Sequence, residues 1–125
     1  MNYAETFLQE LQERRALYGN DDPAVAETLN ALGLVYLHMY NEIDQAISCH
    51  KEALAIFKST QKQHALKNLA MTLADVGRCY WRKGESNQAH SCLRESFEVC
   101  KLIQINDDDP IMYSVSNQLR MLSCS

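Results

Sequence analysis

With 12 Lys and Arg against 16 Asp and Glu, the 125-residue chain carries a net charge of −4, the wrong sign for a broad nucleic-acid footprint or a polybasic membrane anchor. Its content of 46% hydrophobic and 22% charged residues belongs to a folded domain rather than a disordered segment. No apolar run approaches the roughly 18 residues of a spanning helix, and the opening MNYAETFLQELQERR lacks the basic head and apolar core of a secretion signal.

In chain order, residues 3–18 form the first predicted helix. Asp22 and Pro23, a cap-like residue followed by proline, start a second, with Leu29, Leu32, Gly33 and Tyr36 on one face. A polar break at 40–44 leads to a third helix carrying Ala46, Cys49, Ala53, Ile56 and Phe57. The fourth presents Leu69, Leu73, Val76, Gly77 and Tyr80; after a break at 83–87 the fifth presents Ala89, Cys92, Leu93, Ser96 and Val99. Pro110 opens a sixth over 110–122, with Met112, Val115, Leu119 and Leu122 on one face. Strand-type alternation is absent, so the fold class is all-α.

The helices repeat. Pro23 and Pro110, each after an acidic run, lie 87 residues apart; Gly33 and Gly77 are separated by 44, and Ala46 and Ala89 by 43. Comparing QAISCHKEALAIF with QAHSCLRESFEVC at that offset pairs Gln45 with Gln88, Ala46 with Ala89, Ser48 with Ser91, Cys49 with Cys92 and Glu52 with Glu95. A period between 20 and 50 residues implies stacked helical repeats. The chain is expected to be one domain, 1–125, with full two-helix repeats at about 22–60 and 64–104 and half repeats at 3–18 and 110–123. Gly33 and Gly77 each cost a helix interior about 1 kcal/mol relative to alanine. Their recurrence in the same context predicts that the partner helix presses against them where a β-carbon would hold it off.

These residues resemble the tetratricopeptide repeat. The pattern of a leucine, then leucine and glycine, tyrosine, and the alanines of a second helix is matched by Leu29, Leu32, Gly33, Tyr36, Ala46 and Ala53. It is matched again by Leu73, Val76, Gly77, Tyr80, Gly84, Ala89 and Leu93. The long period and the run RRALYGNDDPAVAETLNALGLVY are most similar to the kinesin-light-chain type of repeat. The resemblance covers about residues 10–100, with the ends inferred. It implies a right-handed solenoid of about six antiparallel helices, used as a protein-binding scaffold or adaptor. The chain departs from the pattern at Tyr40 and Asn41, where a glycine turn is usual, and at STQKQHALKNLA, which lacks the acidic-proline joint. The third hairpin has no second helix.

In such a stack the first helix of each unit lines the inner surface. Setting aside the packing stripe leaves Glu27, Asn30, Leu34 and His38 on the first unit. One period on stand Met71, Ala74, Arg78 and Arg82, and two periods on stand Ser114, Asn117, Met121 and Ser125. The expected groove residues are Asn30, Leu34, His38, Met71, Arg78, Arg82, Asn117 and Met121. Asn30 and Asn117 could bond a peptide backbone, a role that the resemblance also implies for an asparagine hereabouts. Arg78 and Arg82 could meet carboxylates of an acidic peptide, and Leu34, Met71 and Met121 an apolar anchor. Alternatives stand beside each. Asn30 can face water or bond a neighbouring helix, Arg78 and Arg82 can pair with Asp75 or Glu85, and Trp81 can pack on the adjacent hairpin rather than serve as a hot spot. Lys62 and Lys67 are expected on the solvated surface.

The five cysteines, at 49, 79, 92, 100 and 124, form no CxxC pair and read as reduced thiols of a cytoplasmic protein. Cys49 with His50, and Cys79, fit core positions better than a nucleophile or a zinc site, which favours close ligand pairs; Cys124 is expected to be an exposed thiol. No catalytic, metal or cofactor motif occurs. The expected function is a non-catalytic module that binds a protein or peptide partner, acidic ones included, without nucleic acid or membrane. The alternative is a segment of a longer array that associates with other copies through its open helical ends.

Overall fold

The computed structural model describes residues 2–60 and 63–123. Among these the chain forms six helices, α1 (Tyr3–Tyr18), α2 (Pro23–His38), α3 (Ile43–Ser59), α4 (Gln63–Lys83), α5 (Ser86–Leu102) and α6 (Pro110–Ser123), and no strand. The all-α repeat class expected from periodicity is the class observed. The breaks are shorter than expected, at 39–42 and 84–85. Lys62, Cys124 and Ser125, singled out above, lie outside the described residues.

The helices start where local chemistry satisfies their orphan donors. Asp22 accepts from the Ala24 backbone N–H at 2.9 Å, and Asp109, 87 residues on, accepts from the Ile111 N–H at 3.0 Å. Each stands just before a proline, which has no N–H to satisfy. That hydrogen bond, followed by the neighbouring Lys67 ammonium, holds the Asp109 carboxyl below its ordinary pKa. The first helix starts with a capping box, in which Asn2 accepts from the Glu5 N–H at 2.8 Å. Inside each full repeat the turn is made by one left-handed residue: Gly84 at φ 89° in the second, and Asn41 at φ 53° in the first. Asparagine tolerates that region better than most residues. The first turn is one residue longer, since the Glu42 N–H reaches back to Tyr36 O whereas the Glu85 N–H reaches Tyr80 O.

The chain divides into two compact units, residues 1–60 and 61–125. In the first, α2 packs against both α1 and α3, burying Leu11, Val25, Leu29, Leu32, Ile56 and Phe57. A β-carbon on Gly33 would lie 2.6 Å from His50 Nε2 and 2.8 Å from Cε1. The predicted close approach is therefore made by an imidazole, and His50 is 0% exposed. In the second unit α5 packs against α4 and α6, around a core that includes Ala70, Ala74, Leu93, Cys100, Met112 and Val115. There a β-carbon on Gly77 would lie 2.9 Å from Leu93 Cγ and 3.3 Å from the Ala89 carbonyl oxygen. Ser96 stands one period after Ala53 and is equally buried, its hydroxyl donating to Ala70 O at 2.7 Å. A buried hydroxyl so bonded avoids the desolvation cost of an orphan.

Candidate functional site

The expected groove residues fall three to the first unit and five to the second. On α2, Leu34 is 37% exposed and His38 is exposed at the helix end. Asn30 is half-buried, its Oδ1 2.9 Å from His50 Nδ1 on α3. Of the alternatives open for Asn30, a bond to a neighbouring helix is thus present. It orients the imidazole that fills the space over Gly33, so this side chain contributes to the packing of its own hairpin.

On α4 and α6 the residues separate into two groups. Met71, 47% exposed, and Arg78 line a small cleft of about 220 Å³ together with Ala74, Asp75, Pro110, Ile111 and Ser114. Arg82, Asn117 and Met121 do not line it. The helical spacing of Met71, Ala74, Asp75 and Arg78 presents them in a row along α4, while the capped start of α6 supplies Pro110 and Ile111. Lys67 donates to Asp109 Oδ2 at 3.2 Å, so the start of α6 is tied to α4. Lys67, expected on the solvated surface, meets a partner that stands 42 residues away before a different helix, a pairing that the spacing along one helix does not reveal.

Arg78 meets Asp75 at 3.4 Å, one helical turn away, which is the pairing anticipated as its alternative. Burial pushes the Asp75 carboxyl up to about 6, with Arg78 acting in the opposite direction. At neutral pH the cleft therefore presents an apolar floor, a thioether, a hydroxyl and a guanidinium beside a largely buried carboxylate. Such a surface has groups to bond and bury a peptide. Nothing in it is arranged as a nucleophile with its base.

The thiols point the same way. Burial raises Cys49 to about 11, helped by Glu52 and opposed by Arg15. It raises Cys79 to about 11 as well, helped by Asp75 and opposed by Arg78 and Arg82. Burial raises Cys100 too. Burial thus disfavours the thiolate, the reactive form, at each of these positions. Among the described residues no group of three or more His, Cys, Asp or Glu is placed to hold a metal ion. Among them, too, no helix is long and apolar enough to cross a membrane.

Sequence reasoning missed Pro110 and Ile111 as cleft residues and His50 as the partner of Asn30. The last had a usable signal: His50 stands 43 residues before Leu93, the residue that packs over the second glycine.

Comparison with known proteins bears on the fold. The family model of the tetratricopeptide repeat matches residues 4–59. Among solved structures, the crystal structure of BtubC (BKLC) from P. vanneervenii is similar in fold, with a TM-score of 0.73 and 24% sequence identity. The alignment covers 83% of this chain and 41% of that one, so the match spans about two fifths of that neighbour's length. No curated protein matches the sequence.

Proposed function

We propose that the chain, matched by the tetratricopeptide-repeat family model at residues 4–59, is a non-catalytic protein-interaction module that holds an extended peptide or partner helix on its first-type helices. Asn30, Leu34, His38, Met71, Arg78, Arg82, Asn117 and Met121 are the residues proposed to face the partner. Within that set Met71 and Arg78 form the part with a definite shape. The observation that carries the reading is the α4–α6 cleft, where Met71 offers an adaptable apolar contact and Arg78 a guanidinium for a carboxylate. Buried anchors of this kind supply affinity, and main-chain bonds supply register.

The test is to pan a random peptide library against the full chain and against a Met71→Glu, Arg78→Gln variant. Glutamine is preferred to glutamate at 78 because a second carboxylate beside half-buried Asp75 would unfold the site. A consensus enriched on the parent and lost on the variant supports groove recognition. A consensus kept by both refutes this cleft. No enrichment, with a concentration-dependent rise in sedimentation coefficient, favours self-association of the repeats instead.

A further inference from the structure

The second unit has another opening, between α5 and α6, with a volume of about 420 Å³. Phe97 and Leu119 contribute its apolar surface, and Arg94, Lys101 and Arg120 stand around it with Glu98, the one carboxylate among its lining residues. Glu98 is already met by Lys101 at 3.2 Å, and that ammonium also sits 5.0 Å from the centre of the Phe97 ring. Arg94 and Arg120 are exposed and have no carboxylate partner among the described residues. The cleft thus combines apolar area with two uncompensated guanidinium groups.

The repeat explains why this surface differs from the hairpin faces before it. Arg120 stands 43 residues after Gly77 and 87 after Gly33, in the register that both earlier repeats give to glycine. Ser116 and Leu119, which line the same cleft, likewise follow Leu73 and Val76 by 43. At the two earlier positions even a β-carbon would come within 3 Å of the second helix, at His50 or Leu93. An arginine in that register forbids so close an approach and presents a fixed positive charge to whatever docks. A neutral helix of the ordinary repeat kind would bury that charge unpaired, a large cost. A helix carrying carboxylates beside its apolar row would instead form charge-assisted, bidentate bonds with Arg120 and Arg94.

We infer that the α5–α6 cleft is a second docking surface, and that its occupant is an acidic amphipathic helix of a partner protein. Apolar residues three and four apart on that helix would cover Phe97 and Leu119, and Asp or Glu one turn away would meet the arginines. This surface is distinct from the α4–α6 cleft: the two share no lining residue.

The test uses the full chain and a displayed library of helix-favouring 18-residue peptides with a fixed apolar row and randomised flanks, the best peptide then being titrated by fluorescence anisotropy. The expected result is enrichment of Asp and Glu on the flanks, and affinity that weakens by at least tenfold in Arg120→Glu and in Arg94→Glu and falls with added salt. Both arginines are exposed, so circular dichroism should show each variant folded. Arg120→Gly, which restores the ordinary register, should shift the selected flanks towards neutral residues. The Met71→Glu, Arg78→Gln variant should bind the same peptides normally, which separates this proposal from the groove reading. Selection of helices without acidic bias, or binding that survives both charge reversals, overturns it. Self-association of the parent that Arg120→Glu abolishes also overturns it, by making a second copy the occupant.

Discussion

Replacing Gly77 by alanine tests the packing argument most directly. Alanine in a helix interior is worth about 1 kcal/mol over glycine, so on propensity alone the substitution stabilises. The structure opposes that gain, because the new β-carbon would sit 2.9 Å from Leu93 Cγ, well inside van der Waals contact. Cγ is the branch point of a fully buried side chain and cannot swing aside as a chain end can. Overpacking of this kind costs about 1–3 kcal/mol, so the net expectation is a loss of about 1 kcal/mol. In a Leu93→Ala background, itself about 2–5 kcal/mol less stable through the cavity it leaves, the nearest obstacle is gone and only the Ala89 carbonyl oxygen, at 3.3 Å, still crowds the new β-carbon. The same glycine substitution should then stabilise, by less than the full propensity gain of about 1 kcal/mol. Urea unfolding followed by the fluorescence of Trp81, the one tryptophan, four residues further along α4, reads the cycle. If Gly77→Ala has the same sign in both backgrounds, Leu93 is not what requires the glycine.

Asp75 gives a pH signature. Its folded pKa of about 6 lies above the unfolded value of 3.8, so the folded state binds the extra proton and stability from this group is highest below pH 4, falls between 4 and 6, and is level above. Its side chain is only 19% exposed, and a shift of two pKa units corresponds to about 3 kcal/mol; Asp75→Asn should flatten the slope in urea titrations across pH 4–7. If Arg78 serves an acidic peptide in the α4–α6 cleft, neutralising Asp75 frees it, and affinity measured by anisotropy should rise from pH 7.5 to 5.5; an unchanged affinity would separate Arg78 from the ligand. Alkylation by iodoacetamide at pH 7 should find Cys49 and Cys79 at least tenfold slower than a model peptide thiol, and a fast thiol at either position would contradict the burial that raises them. His50→Ala should cost several kcal/mol, as for other emptied core sites, and should make Gly33→Ala tolerable, which thermal unfolding followed by circular dichroism can check.

Helices, their period and the meaning of the two glycines were legible because each depends on spacing along one chain. Gly33 and Gly77 announced a close approach, yet the group making it differs: an imidazole in one hairpin, a leucine in the other. A histidine in a core is legible only together with the partner that satisfies it, and Asn30 lies on a different helix. The same holds for Asn30, whose polarity marks a peptide contact or a bond to a neighbouring helix equally well until that neighbour is seen. The pairing of Arg78 with Asp75 was legible as an alternative, since a pair one turn apart is a local matter. Lys67 with Asp109 was not, because that pair exists only once α6 is laid beside α4.

Within each unit the helix contacts run mostly in chain order: α1 with α2 and α2 with α3, then α4 with α5 and α5 with α6, with a slighter contact between α4 and α6. Such short-range contact maps close small loops first and form quickly. During synthesis, at roughly 5–20 residues per second, the α2–α3 hairpin can assemble once Ser59 has cleared the ribosome, without waiting for the second unit. The contact of Lys67 with Asp109 joins the start of α4 to the cap of α6 and can form only once α6 lies beside α4. Emergence of α6 would therefore be the event that shapes the α4–α6 cleft, leaving a nascent chain stalled before Asp109 folded in its first unit but unable to bind there.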